Sequence, residues 1–147
     1  KTSKIVNYVL RQEIKKGLLE KKIFDQFSKR VHLFKNNFKN FLISSTNSGK
    51  KIFGIGASTK GNVILQYCDI DKNTLPYIGE INPEKFNKYT PGSWIEIRQE
   101  DEILKMNPDL LLILPWHFKK FFLEQRKYSK FNLLFPLPET HIVKSNE

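Results

Sequence analysis

A glycine-rich turn that follows a short apolar run is the segment best suited to chemistry. The run ends at Ile55, and the turn that follows consists of Gly56, Ala57, Ser58, Thr59, Lys60, Gly61 and Asn62. Between a strand and a helix, such a turn lets backbone N–H groups approach a phosphate at the positive end of the helix dipole. Its polar side chains favour an anionic or hydroxylated ligand. The spacing G-x-G-x-x-x-x-G matches neither the dinucleotide fingerprint nor a P-loop, so a tight turn with nothing bound stays open.

A second polar group follows the next apolar run. Glu80 ends that run about 20 residues beyond the glycines, near the position where a dinucleotide-binding acid accepts hydrogen bonds from ribose hydroxyls. The loop over residues 82–92 is long for a parallel crossover, and long loops in compact domains are often functional. We predict that Asn82, Lys85 and Tyr89 contact phosphate or sugar. The alternatives are an exposed glutamate at a strand end and ordinary surface side chains.

Trp116 and His117 follow the most apolar run of the chain, residues 110–114. A run that is apolar on both faces predicts a central strand, and open α/β sheets bind ligands at the carboxyl ends of their strands. Ligand contact is therefore predicted for both residues, with a loop histidine bonded to backbone as the alternative. No Ser-His-acid or Cys-His pair can be assembled, so we assign no catalytic residue.

The elements that would position these residues alternate from residue 50 onward. The pattern predicts strand, helix, strand, loop, strand, helix, strand, helix and strand, with the strands at residues 51–55, 76–80, 94–97, 110–114 and 132–135. Since parallel strands end at one edge, the glycine turn and Trp116-His117 should share that edge. The predicted fold class is α/β: a Rossmann-like, three-layer α/β/α domain with a mainly parallel sheet, over residues 49–147.

Residues 1–48 predict a helical arm that leads into this domain. A shorter helix ends near Gly17, and the polar residues 44–49 have the composition of a loop. A second helix between them carries aromatic and aliphatic residues three and four apart, which predicts core or interdomain packing. This stripe consists of Phe24, Phe27, Val31, Phe34, Phe38 and Phe41.

Composition limits the class of protein. The 147 residues suit one domain, 39% of them are hydrophobic, and no apolar run approaches the roughly 20 residues of a membrane helix. The single cysteine and three histidines offer no zinc cluster and favour a reducing cytoplasm. The net charge of +10 comes mostly from dispersed lysines, so nucleic-acid binding is disfavoured. The chain begins with Lys1 and has no apolar leader, so we expect a piece of a longer protein.

Four blocks together resemble the C-terminal domain of the three-domain C-methyltransferases that act on nucleotide-linked deoxysugars. They are residues 56–62, residues 82–85 with 89–92, residues 108–109 with 114–117, and Pro136-Leu137-Pro138-Glu139. Their order and spacing fit the family over residues 5–143. Two positions depart from its pattern: Glu80 stands where many relatives have Asp, and Asn87 where a Gly is common.

The resemblance implies a sugar-nucleotide substrate for this domain and two further domains in the complete enzyme. An N-terminal domain would hold zinc and a middle domain would bind S-adenosylmethionine, so no cofactor is expected in this chain and the fragment alone should be inactive. Two other classes stay open. One is a free-standing oxidoreductase domain that binds a nicotinamide cofactor on the same turn, and the other is a non-enzymatic module that binds nucleic acid.

Overall fold

The computed structural model describes residues 3–145 and divides the chain into two compact units, Lys1–Phe34 and Lys35–Glu147. The first unit holds helix α1, Lys4–Lys15, and the first part of helix α2, Lys21–Asn47. Helix α1 begins after Ser3, whose hydroxyl accepts a hydrogen bond from the N–H of Val6, and Gly17 has φ of +72° just beyond its end. The predicted helix end near Gly17 is confirmed. The predicted domain boundary between residues 48 and 49 stays a prediction.

Helix α2 is longer than its composition predicts. Residues 44–49 were expected to form a loop, but the helix runs to Asn47. The hydroxyl of Thr46 donates to the carbonyls of Leu42 and Ile43, and that of Ser48 donates to Ser44 and Ser45. Hydroxyl groups that bond back to the preceding turn allow Ser and Thr to remain helical. The loop prediction is therefore wrong for residues 44–47, whereas Ser48 and Gly49 form a turn after the helix, with φ of +83° at Gly49.

The second unit is built on a six-stranded sheet with the order β3-β2-β1-β4-β5-β6. Its strands are β1 (Ile52–Ile55), β2 (Tyr77–Glu80), β3 (Glu96–Gln99), β4 (Leu110–Ile113), β5 (Leu133–Phe135) and β6 (His141–Val143). The first five are parallel, and β6 pairs antiparallel with β5. The helices between strands are α3 (Thr59–Tyr67), α4 (Glu100–Lys105) and α5 (Lys119–Glu124). The chain is thus an α/β protein with a mostly parallel sheet, as predicted.

The core lies against both faces of the central strands. On one face, Phe53 and Ile55 of β1 and Leu111 of β4 pack in a cluster that includes Ile103 of α4 and Phe122 of α5. All four residues of β4 are buried, those that point to the other face included. This pattern explains the continuous apolar run of β4, since a strand covered on both faces has no polar positions.

Three elements differ from the prediction. The predicted helix over residues 118–128 is interrupted at Gln125, which has extended ψ of 116°, so α5 is followed by a short 3-10 turn, Arg126–Tyr128. Strand β3 begins two residues later than expected because Trp94 adopts φ of +54°, which no strand accommodates. Strand β6 was not predicted. It has three residues and follows Pro136 and Pro138.

The apolar stripe of α2 is buried only in its later part. Phe38 and Leu42 are fully buried, whereas Phe24 and Phe27 remain more than half exposed. Phe38 is the fully buried phenylalanine of the predicted stripe, whereas Phe34 and Phe41 are half-buried. Among the described residues, no helix combines the length and apolar character needed to cross a membrane.

Candidate functional site

The glycine turn lies at the carboxyl edge of the sheet, in contact with the chain that leaves β4. The N–H of Leu114 donates to the carbonyl of Ile55. A Cβ on Gly56, which has φ of +81°, would lie 2.8 Å from the ring of Pro115, and one on Gly61 would lie 2.6 Å from Cβ of Leu114. Both glycines are therefore required by packing between the turn and residues 114–115. The predicted placement of the turn and Trp116-His117 at one edge is confirmed, because β1 and β4 run parallel in register.

The turn leads directly into helix α3. Ser58 is the N-cap, and its hydroxyl accepts a hydrogen bond from the N–H of Gly61 at 3.0 Å. Thr59 and Lys60 form the first turn of the helix and are exposed to solvent. An anionic group near this exposed first turn would be stabilised by the positive end of the α3 dipole.

Glu80 is buried at the end of β2, and both of its carboxylate oxygens are occupied. Oε2 accepts from the N–H of Ala57 at 3.0 Å and from Lys85 Nζ at 3.2 Å. Oε1 accepts from the N–H groups of Ile81 at 2.9 Å and Asn82 at 3.1 Å. A carboxylate has about four acceptor positions, so these four donors fill it.

The pKa of Glu80 is held below its ordinary value. Burial is the largest single influence and raises the pKa, but it is outweighed by the backbone N–H groups of Asn82 and Ile81 together with Lys85. The carboxylate is thus ionised and already saturated by protein donors. Its predicted role as an acceptor of sugar hydroxyls stays a prediction that has to compete with these bonds.

Lys85 and Asn82 belong to the same network. Besides Glu80, Lys85 Nζ donates to the carbonyl of Ala57 at 3.0 Å, so Ala57 is held through both its N–H and its C=O. Asn82 caps a short 3-10 turn, Pro83–Lys85, by accepting from the N–H of Glu84. The beginning of the 82–92 loop is therefore fixed to the glycine turn through Glu80 and Lys85.

A cavity of about 260 Å³ opens beside this network. The polar residues of its lining are Ser58, Thr59, Asn62, Lys85 and Thr90. The apolar residues are Ala57, Leu65, Ile78, Pro91, Ile97 and Leu114, from strands, helix and loops. The structure thus brings the glycine turn and the 82–92 loop together around one space.

Asn62 has an unusual position in this cavity. Its side-chain oxygen is buried and is the one buried side-chain polar atom of the described residues for which no hydrogen-bond partner exists. Buried polar atoms are almost always paired, so this oxygen is an exception. Because it has almost no accessible surface, it is not itself open to a ligand in the cavity that the residue lines.

Five of the thirteen predicted site residues line the cavity, and eight do not: Gly56, Lys60, Gly61, Glu80, Asn82, Tyr89, Trp116 and His117. The last three also lie outside the network of Glu80 and Lys85. Tyr89 is 56% exposed and forms an isolated antiparallel bridge with Glu96. Trp116 is half-buried against the core cluster, with its ring edge-on to that of the exposed His117 at 5.6 Å between centroids. Trp116 and His117 share the sheet edge with the turn, whereas Tyr89 lies beside the first residue of β3, and none of the three lines the cavity.

The sequence interpretation missed the residues that give the cavity its apolar walls. Ile78 and Ile97 come from β2 and β3, Leu65 from α3, and Thr90-Pro91 from the loop. Thr90-Pro91, and Leu114, which also lines the cavity, carried a signal as parts of the family blocks. The others read as ordinary core residues, because apolar walls of a cavity and apolar core positions have the same sequence pattern.

The described residues, 3–145, form no candidate metal site. No group of three or more His, Cys, Asp and Glu side chains there could hold a metal ion, and the one cysteine, Cys68, is buried. The residues present therefore do not fit a zinc site.

Comparison with known proteins agrees with these features. The chain belongs to the family described as the C-methyltransferase C-terminal domain, whose model matches residues 1–138. A curated relative is the C-methyltransferase NovU of Streptomyces niveus, which is 24% identical over 140 residues. That match covers 93% of this chain and 33% of the relative, so the chain spans about a third of the relative's length. The resemblance seen in the four sequence blocks is thereby confirmed.

Proposed function

We propose that this chain is the substrate-binding domain of an S-adenosylmethionine-dependent C-methyltransferase that acts on a nucleotide-linked deoxysugar. The observation that carries the proposal is the cavity that Ser58 and Thr59 of the glycine turn and Lys85 of the 82–92 loop line together. Membership of the family supplies the reaction class. The strand order β3-β2-β1-β4-β5-β6 supports a Rossmann-like, three-layer description, since dinucleotide-binding sheets have this order.

In this proposal the phosphates lie outside the cavity, near the exposed first turn of α3. Lys60 and the positive end of the helix dipole would balance their charge. The rest of the substrate would reach into the cavity past Ser58 and Thr59. Trp116 and His117, at the same edge, are available for the sugar or for a neighbouring domain.

Glu80 receives a different role from the one first predicted. Because four protein donors fill its carboxylate, we assign it, together with Lys85, to positioning the backbone of Ala57 rather than to contacting substrate. The same geometry disfavours the nicotinamide alternative, in which a free carboxylate at this position would accept from ribose hydroxyls. It equally disfavours S-adenosylmethionine on this turn.

The remaining parts of the enzyme would lie outside this chain. S-adenosylmethionine and zinc belong, in the proposal, to a middle and an N-terminal domain, which also supply the catalytic groups. The helices before residue 48 would form the arm that leads from those domains, with the exposed Phe24 and Phe27 turned to a partner surface. We place the assembled protein in the cytoplasm.

Calorimetry with a thymidine-diphosphate deoxysugar tests the proposal. A site shared between domains loses contacts when one domain is absent, and each 1.4 kcal/mol of binding free energy that is lost weakens the affinity tenfold. We therefore expect a dissociation constant of about 1 mM. Lys60→Ala should weaken binding about threefold to tenfold by removing a charge–phosphate contact. Lys50→Ala is the matched control, since Lys50 is exposed and precedes β1, at the opposite end of that strand.

Three results would count against the proposal. The first is equal binding by both lysine variants and the parent. The second is tight binding of a nicotinamide cofactor with none of the sugar nucleotide, which would favour the oxidoreductase alternative. The third is nucleic-acid binding with a steep salt dependence, which would favour the interaction module. Methyl transfer by this chain alone would also contradict the absence of a catalytic residue.

A further inference from the structure

The first unit of the chain carries apolar side chains that remain exposed to solvent. Phe24 and Phe27 of α2 are 56% and 58% exposed, although the same stripe is fully buried at Phe38. No residue of α1 is buried, and its aliphatic side chains are exposed at Ile5, Val6, Val9, Leu10 and Ile14. Clustered exposed apolar side chains on a globular protein mark interaction sites. We call these side chains of α1, together with Phe24 and Phe27, the arm surface.

The spacing of the α2 stripe indicates the kind of partner that fits it. Its members recur at intervals of three and four residues: Phe24, Phe27, Val31, Phe34, Phe38 and Phe41. This is the seven-residue repeat of a coiled-coil seam, in which each apolar side chain inserts between four residues of a facing helix. A partner that packs on the exposed part of this seam is therefore expected to present a helix.

The charge around the arm surface favours an acidic partner. Residues 4–30 hold eight Lys and Arg side chains and three Asp and Glu, so half of the net charge of +10 lies in this segment. None of these eight cations forms an ion pair with a described carboxylate.

Two of these cations flank the seam itself. Lys21 and Arg30 occupy flanking positions of the seven-residue repeat, and the guanidinium carbon of Arg30 lies 6.0 Å from the centre of the Phe27 ring. Residues that flank a seam form ion pairs with the facing helix and so determine which partner is accepted. A second copy of this chain would present the same cations and be repelled, whereas a helix with Asp and Glu on its flanks would be attracted.

We propose that the arm surface binds a helix with an apolar stripe and acidic flanks, which belongs to the domain preceding this one in the same polypeptide. The existence of that domain rests on the proposed function. The family is the C-terminal domain of C-methyltransferases, and the chain spans 33% of its relative, so about two thirds of such an enzyme would precede α1. A domain tethered directly before α1 would have an effective concentration in the millimolar range at this surface.

Two synthetic helical peptides of about three heptads test the chemistry of the surface on the 147-residue chain. Both carry Leu at the seam positions, and one has Glu and the other Lys on the flanks. At low salt we expect the Glu peptide to shift the amide resonances of residues 24–33 and to bind at least about tenfold more tightly than the Lys peptide.

A pair of phenylalanine variants locates the contact. Phe27→Ala should weaken binding of the Glu peptide about tenfold, equivalent to about 1.4 kcal/mol, because it removes an anchor of the seam. Phe121→Ala is the matched control, since Phe121 is 53% exposed on helix α5, outside the arm surface. The Phe121→Ala variant should bind the Glu peptide within about twofold of the parent.

Amide hydrogen exchange on the complete polypeptide tests the identity of the partner. We expect residues 24–33 to exchange at least about tenfold more slowly there than in the 147-residue chain, because a packed helix surface opens less often. Phe27→Ala should remove this protection, and Phe121→Ala should retain it.

The outcomes separate this inference from the proposed function. If the chain binds the sugar nucleotide while residues 24–33 exchange equally fast in both proteins, the inference is wrong and the proposed function stands. If these residues are protected and no sugar nucleotide binds, the inference holds and the proposed function fails. Equal binding of the two peptides, self-association of the chain through the arm surface, binding to phosphatidylglycerol vesicles but to neither peptide, or a gene with no domain before α1 would each overturn the inference.

Discussion

Replacing Glu80 by glutamine tests whether its carboxylate fixes the glycine turn. Gln is nearly isosteric, but one of the two oxygens becomes an NH₂ group. If that group takes the place of Oε2, the N–H of Ala57 and Lys85 Nζ both face a donor. If the NH₂ group takes the place of Oε1 instead, the N–H groups of Ile81 and Asn82 both face a donor.

The first arrangement is the less costly one and sets the expected magnitude. The Lys85 side chain is 42% exposed, so its ammonium can turn to water and its loss contributes little. The part-buried N–H of Ala57 belongs to the backbone and cannot turn to water in the same way. A buried donor left without an acceptor lowers the stability by about 1–3 kcal/mol. The Asn82 and Ile81 bonds also lose their charge-assisted strength. We expect Glu80→Gln to lower the free energy of unfolding by about 2–3 kcal/mol.

Urea unfolding followed by tryptophan fluorescence measures this change at pH 7. Glu124→Gln is the control, because Glu124 is exposed and forms an ion pair with the exposed Lys120 at 3.8 Å, and its change should stay within about 0.5 kcal/mol. A Glu80→Gln effect no larger than that of the control would refute the reasoning that its four hydrogen bonds stabilise the turn.

The pH dependence adds a second test of the same residue. The folded-state pKa of Glu80 is lowered, so its stabilisation is present above the unfolded-state value, about 4.3, and is lost as pH falls through the folded-state pKa. The stability difference between parent and Glu80→Gln should be constant between pH 6 and 8 and shrink below about pH 4.3. A stability difference between parent and Glu80→Gln that grows toward low pH would contradict the lowered pKa of Glu80.

Three further predictions concern the backbone and the core. Gly61→Ala should lower stability by about 1–3 kcal/mol in urea unfolding, because the added Cβ would lie 2.6 Å from Cβ of Leu114; an unchanged midpoint would show that the turn can move away. Asn87 has φ of +58°, so Asn87→Gly should match or exceed the parent in stability while Asn87→Ala loses about 1 kcal/mol, and the opposite ranking would contradict the left-handed conformation. Burial raises the pKa of Cys68 to about 11, so a thiol reagent at pH 8 should react with the unfolded chain and not with the folded one, and rapid reaction under native conditions would contradict that burial.

The alternation of apolar runs was sufficient to predict the central sheet. Residues 110–113 are apolar at every position because both faces of β4 are covered, and this signal needs no tertiary information. The glycine turn was equally visible, although its glycines are explained here by contact with Leu114 and Pro115 rather than by a phosphate.

Side-chain contacts decided the features that the sequence left hidden. Residues 44–47 look like a loop and remain helical, and locally the hydroxyls of Thr46 and Ser48 bond to carbonyls of the preceding turn. Glu80 reads as a free acceptor at a strand end, and its saturation depends on Lys85 and Ala57, which are 5 and 23 residues away. The unpaired oxygen of Asn62 is a property of its surroundings and leaves no mark in composition or periodicity.

A titration of the isotope-labelled chain with a thymidine-diphosphate deoxysugar, followed by backbone amide shifts, tests the central claim most directly. A substrate-binding domain of this family should show its largest shifts at Ala57, Asn62 and Thr90, which line the cavity at the carboxyl edge. Shifts centred on Phe122 and Leu133, on residues 24–34, or on no region at all up to millimolar ligand would contradict it.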